Sequence, residues 1–175
     1  MKLTENQNNQ YNKEEFLKLI QQNRKIIFKI CNSYCKNKHD REDLAQEIVY
    51  QLWKSFDSFN SVYKFSTWMY RVALNVAISY YRKEKKSRET VPLEEHLFEI
   101  SDDEDVSEES VRNFNLLQQF INELKELDRA LIILYLEEKN YKEIAEILGI
   151  TETNVATKIS RIKEKIKQKF IKILK

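Results

Sequence analysis

The stretch "YKEIAEILGITETNVATKISRIKEKI", residues 141–166, contains the only glycine of a 175-residue chain. With Tyr141 as the first position of a window, Ala145 is fifth, Gly149 ninth and Val155 fifteenth. That is the spacing of a helix-turn-helix, and each residue has a steric reason. Ala145 is small where a second helix must cross close to the first. Gly149 follows the first helix, where a left-handed backbone costs a residue with a Cβ about 1–2 kcal/mol. Ile144, Leu148, Ile150, Val155 and Ile159 are the expected core between the two helices, and Thr151 is the expected cap of the second.

The second helix should carry Thr153, Asn154, Thr157, Lys158 and Arg161 on its outer side, followed by Lys163, Lys165, Lys167 and Lys169. A polar face running into a basic tail suits a DNA major groove flanked by phosphates. A plain helical hairpin with solvated lysines is the competing reading. The coincidence of Ala145, Gly149 and Val155 with the basic continuation favours the groove.

Working outward, one glycine and one proline leave little turn chemistry for hairpins, so the chain reads as all-α. The longest apolar run, Ala130 to Leu136, is far short of the roughly 20 residues that span a bilayer. The polar start "MKLTENQNNQ" has no apolar core of a secretory signal and is expected to be disordered. A cytoplasmic chain without membrane insertion is expected. Cys31 and Cys35 sit one helical turn apart, with His39 continuing the spacing. They could be a redox pair, part of a metal site, or small apolar side chains filling a helix face. A structural zinc needs four ligands and no fourth is evident, so neither metal nor cofactor is expected.

The net charge of +2 conceals a division. Residues 1–90 hold 17 basic and 10 acidic side chains, residues 91–115 hold one and nine, and residues 116–175 hold 12 and nine. The acidic strip "VPLEEHLFEISDDEDVSEESVRN" contains the only proline, Pro92. It reads as a linker, 91–115, between two small helical domains, 12–90 and 116–175.

The first domain shows three amphipathic stretches. Asn12 and Glu15 have capping-box spacing ahead of Phe16, Ile20, Ile27, Ile30 and Tyr34. Asp40 is placed to cap "REDLAQEIVYQLWKSF", with Leu44, Ile48, Leu52 and Phe56 as one stripe. Ser66 is placed to cap "TWMYRVALNVAISYYRKEKK", with Phe65 and Tyr70 as a hydrophobic staple. In the second domain, "LLQQFINELKELDRALIILYLEEK" puts Leu117, Phe120, Ile121, Leu124, Leu131 and Leu134 on a buried side.

Taken together, the chain resembles a bacterial sigma factor of the extracytoplasmic-function group of the sigma-70 family. "DREDLAQEIVYQLWKSF" is similar to the family's polymerase-binding segment, "KFSTWMYRVALNVAISYYRKEKK" to its promoter-melting and −10-reading helix, and "NYKEIAEILGITETNVATKISRIKEKI" to its −35-reading helix-turn-helix. The three motifs stand in the family's order, covering about residues 12–90 and 116–170. The resemblance implies a non-enzymatic subunit whose partners are core RNA polymerase, promoter DNA and an anti-sigma factor. It assigns Asp43, Gln46, Glu47 and Gln51 to polymerase, and Trp68, Arg71, Asn75, Arg82, Lys83 and Lys86 to the −10 element. Thr153, Asn154, Thr157, Lys158 and Arg161 then belong to the −35 element. It also implies that the loop "DSFNSVYKF" shapes a pocket for a flipped base, whose unstacking aromatic contacts can offset.

Two positions depart from the family pattern. The recognition helix reads "TNVATK" where a Gly-Thr pair and a basic residue are common, so the preferred −35 sequence should differ. Lys125 replaces a common proline, which affects a helix boundary. The alternative function is a free-standing dimeric helix-turn-helix regulator, which would require palindromic sites. A DNA-cleaving enzyme would need a nucleophile among clustered arginines, and the eight arginines are scattered.

Overall fold

Asn23 breaks what the sequence pattern presents as one helix. Helix α1 runs Glu5–Gln22 and α2 runs Arg24–Tyr34. The Asn23 side-chain amide donates to the Leu19 carbonyl at 2.9 Å, beside the Asn23 backbone N–H that donates to the same oxygen at 3.2 Å, so both groups close the last turn of α1. The computed structural model describes the backbone of residues 5–59, 62–88 and 108–173. Side chains are described for the same residues except 5–11, 85–88, 108, 110 and 111. Helix α1 starts at Glu5, so Asn12 lies inside it and residues 5–10 are helical rather than disordered. Nothing between residues 5 and 12 is a glycine or proline that would stop the helix propagating upstream.

Helix α3 spans Lys38–Ser55, and its cap is Asn37, not Asp40. The Asn37 side-chain oxygen accepts from the Asp40 N–H at 2.8 Å, and its amide donates to the Asp40 carboxylate at 2.8 Å. Asp40 therefore stands in the first turn, where a carboxylate interacts well with the helix dipole. Leu44, Ile48 and Leu52 are fully buried, as the stripe requires. Phe56 is also buried and opens a 3-10 turn, Phe56–Ser58. Helix α4, Phe65–Arg88, begins one residue before Ser66. The Lys64 carbonyl accepts from Thr67 and Trp68, so Ser66 is not the cap. Phe65, packed on Phe59 and Trp68, becomes the first helical residue, which takes it and Tyr70 out of staple register.

Residues Met1–Tyr80 and Tyr81–Lys175 form two compact units. The core of the first is built from Phe16 of α1, Ile27 and Ile30 of α2, the α3 stripe, and Met69, Tyr70, Ala73, Leu74 and Ala77 of α4. Cys31 and Cys35 are free thiols buried in this core. Burial pushes the Cys31 thiol up to about 11, opposed by the positive charge of Arg41. His39 lies outside it and pairs with Asp43 at 3.5 Å. The apolar-filler reading of the two cysteines therefore fits.

In the second unit, "LLQQFINELKELDRALIILYLEEK" is again two helices, α5 (Glu108–Asn122) and α6 (Glu126–Leu136). Lys125 is the N-cap of α6, with φ −61°, the value that a proline ring imposes. Phe120, Ile121, Leu131 and Leu134 are buried, while Leu117 and Leu124 are only half-buried. Arg129 is buried as well. Its guanidinium donates to the Asn122 and Leu124 carbonyls, so a buried cation closes the end of α5. Helix α6 ends in a Schellman motif: Lys139 donates to Leu134 and Glu138 to Tyr135, both at 3.1 Å. Its left-handed residue is Glu138, at φ 56°.

Candidate nucleic-acid interface

Helices α7 (Tyr141–Leu148) and α8 (Glu152–Ile173) are joined by the turn at Gly149. Asn140 and Glu143 form a full capping box at the start of α7, whose sequence signal is the spacing in "NYKE". Gly149 is left-handed, with φ 67° and ψ 35°. Its N–H and that of Ile150 both donate to the Ala145 carbonyl, at 2.9 and 3.2 Å. A Cβ at Gly149 would meet nothing within 4 Å. The glycine is therefore required by backbone sign and not by space. Thr151 Oγ1 accepts from the Asn154 N–H at 3.2 Å, which makes it the side-chain cap of α8.

Ile144, Val155 and Ile159 are fully buried, and Ala145 is buried as expected. Leu148 and Ile150 are only half-buried. Ile147 and Ile162 are buried in the core as well. Thr153, Asn154, Thr157 and Arg161 are exposed on α8. Lys158 departs from the expected outer position. It is half-buried, and its Nζ lies 3.5 Å from the Asp128 carboxylate on α6. The basic tail is also divided, since Lys163 donates to the Tyr135 hydroxyl and Lys169 pairs with Glu123.

In the first unit, Trp68 is half-buried, with ring centroids 5.3 Å from those of both Phe59 and Phe65 and 6.4 Å from that of Phe56. Phe16 and Trp53 extend this aromatic cluster. Arg71 and Asn75 lie exposed one turn apart on α4; further along the helix, in the second unit, Arg82 and Lys83 are exposed, with Arg82 3.8 Å from the Glu126 carboxylate. The ring cluster thus packs the start of α4 and leaves Arg71 and Asn75 exposed beside it. The Lys86 side chain lies outside the described residues, as do residues 89–107, which include most of the acidic linker. Val62 and Tyr63, in the loop before α4, are exposed.

On α3, Asp43, Gln46 and Glu47 are exposed and Gln51 is half-buried, donating to the Glu47 carboxylate at 2.8 Å. Beside them is an apolar groove of about 700 Å³, with Phe16 and Leu17 of α1 on one side and Gln46, Val49, Tyr50 and Trp53 of α3 on the other. Sequence reasoning missed this groove. The signal was that Leu17, Tyr50 and Trp53 are large apolar residues off the core stripes, and all three are exposed. Among the described residues, no group of three or more metal-binding side chains is gathered.

Comparison with known proteins agrees with this geometry. Residues 19–87 match the family model of sigma-70 region 2, and residues 114–166 that of sigma-70 region 4. The chain is 34% identical over 152 residues to the ECF RNA polymerase sigma factor SigW of Bacillus subtilis, covering 81% of each chain. It is 30% identical over 143 residues to SigM of the same organism, covering 81% of this chain and 86% of that one. The fold resembles that of the sigma factor RpoE of Bartonella quintana, solved with the anti-sigma factor NepR. The TM-score is 0.68 and the identity 20%, covering 89% of this chain and 94% of that one. A helix-turn-helix with an exposed polar face, preceded by a helical unit that matches region 2, is thus the arrangement of a known group, and the chain belongs to the ECF sigma factors of the sigma-70 family.

Proposed function

We propose that this protein, an alternative sigma factor that binds core RNA polymerase and directs promoter-specific initiation, divides the work between its two helical domains. Residues 12–90 bind polymerase and open the −10 element, residues 116–175 hold the −35 element, and the acidic strip 91–115 joins them. Asp43, Gln46, Glu47 and Gln51 face polymerase. Arg71 and Asn75 meet the melted −10 strand beside the Trp68 cluster, and Arg82, Lys83 and Lys86 hold phosphates. Thr153, Asn154, Thr157 and Arg161 read the −35 duplex from the major groove. The protein performs no catalysis itself and works in the cytoplasm. Among the described residues no helix is long and apolar enough to cross a membrane. An anti-sigma factor is its expected restraint, by analogy with the Bartonella protein, which was solved in complex with one.

The observation that carries this reading is the occurrence in one chain, in order, of the region 2 and region 4 matches. A free-standing dimeric regulator accounts for the second match alone. The test is transcription in vitro with purified core polymerase across a library of promoter sequences. Stimulation from asymmetric two-element promoters is expected, and its loss when Arg71 and Asn75 are both replaced by alanine would place the −10 contact on α4. No stimulation from any promoter would defeat the reading.

A further inference from the structure

The basic side chains of α8 fall into two groups. Lys158 lies 3.5 Å from Asp128. Lys163 donates to the Tyr135 hydroxyl at 3.3 Å and sits 5.3 Å from its ring centre. Lys169 pairs with Glu123 and sits 5.0 Å from the Phe120 ring centre. These partners all belong to α5, α6 or the turn between them, so the three lysines are committed inside their own unit. Arg161, Lys165, Lys167 and Lys172 are exposed without an ion-pair partner among the described residues, and of these the nearest along the helix to Asn154 and Thr157 are Arg161 and Lys165.

Helical geometry places these two in one row with the polar face. At about 100° per residue, Asn154, Thr157 and Lys165 all project within about 40° of the Arg161 direction. At about 1.5 Å per residue, Lys165 stands about 16 Å along the axis from Asn154. The major groove is about 12 Å wide. With Asn154 over base edges, Lys165 therefore reaches the phosphates that border the groove. Lys158 belongs to neither purpose. Asp128 is itself largely covered, so drawing Lys158 toward DNA would leave a partly desolvated carboxylate without its counter-charge.

We infer that Lys165 is a phosphate contact in the −35 complex, and that Lys158 is a positioning residue which, through Asp128, holds α8 against α6. This rests on reading α8 as the −35 helix. The test uses the full chain assembled with core polymerase, its affinity for a promoter fragment carrying the −35 element being followed against salt. Lys165→Ala and Arg161→Ala should each flatten the slope of log K against log salt by about 0.9. Lys158→Ala should leave that slope unchanged. Lys158→Asp should weaken binding, and adding Asp128→Lys should restore it, because a reversed pair still holds the helix. An aspartate facing phosphate would instead remain harmful in either background.

A flatter slope in Lys158→Ala would overturn the inference, as would a double reversal that stays weak while circular dichroism shows it folded. If Arg161→Ala flattens the slope and Lys165→Ala does not, the inference alone falls. If neither does, the assignment of α8 to the −35 element falls with it.

Discussion

At the scale of the residue, two left-handed positions follow different rules. Gly149 and Glu138 both close a helix with positive φ, yet only one is a glycine. With no atom within 4 Å of a Cβ at Gly149, Gly149→Ala should cost about 1–2 kcal/mol from backbone strain alone. Gly149→Asn should cost less, since Asn tolerates this region. Glu138→Gly should stabilise by about 0.5–1 kcal/mol, the relieved strain exceeding the added freedom of the unfolded chain. Chemical denaturation of the three variants measures all of these changes. Cys31 supplies a pH prediction. Its thiol is pushed from 9.0 up to about 11 by burial, so the unfolded chain loses this proton first as pH rises. The stability it contributes is complete below about pH 9 and is lost as pH passes through about 11, on the order of 2 kcal/mol. Cys31→Ala should lack that component of the alkaline loss when stability is followed from pH 8 to 11. The Arg129 role was not legible in the sequence. A single arginine in an apolar run shows nothing of the two carbonyls that the end of α5 and the turn after it present to it.

At the scale of the element, apolar periodicity locates the helices and misjudges several of their ends. Leu44, Ile48 and Leu52 appear as a stripe in the sequence and lie in the core, because a 3.6-residue repeat leaves one face to bury. Sequence spacing puts caps at Asn12, Asp40 and Ser66, each a polar residue just ahead of an apolar-periodic stretch. The structure starts the helices at Glu5, Lys38 and Phe65 instead. A cap depends on which side chain reaches a free N–H, and neighbouring Asn, Asp and Ser compete for it. Thr151 does cap as its sequence position suggests, since the glycine turn fixes where α8 can begin. Thr151→Ala should lower stability by about 1 kcal/mol. Its effect on −35 affinity should follow the unfolding of the α8 N-terminus, seen as faster amide exchange at Thr153 and Asn154. Lys125→Pro, at φ −61°, should raise stability by about 0.4–1 kcal/mol by restricting the unfolded chain, read as a higher denaturation midpoint.

At the scale of the whole molecule, two-point promoter binding makes a prediction that a single DNA-binding module does not. Adding about 5 base pairs between the −35 and −10 elements turns one by half a helical turn relative to the other. Transcription in vitro with core polymerase should collapse on that template and recover in part on one lengthened by a full turn. A dimeric regulator would follow the spacing of palindromic half-sites instead. The order of the motifs in the sequence is that of the region 2 and region 4 matches. The apolar groove between α1 and α3 was not announced, because Leu17 and Trp53 are distant in sequence and become neighbours only when α1 folds back on α3.

The sequence by itself determined the helical class, the two-domain order, the family and the left-handed turn. Each of these is a local pattern of period, spacing or backbone sign that needs no distant partner. Tertiary structure alone decided which polar side chains remain available. Lys158 and Arg161 look alike in a helical face, yet Asp128 takes one and leaves the other exposed. Charge availability depends on what another helix brings within a few ångströms, and only the folded chain sets that distance.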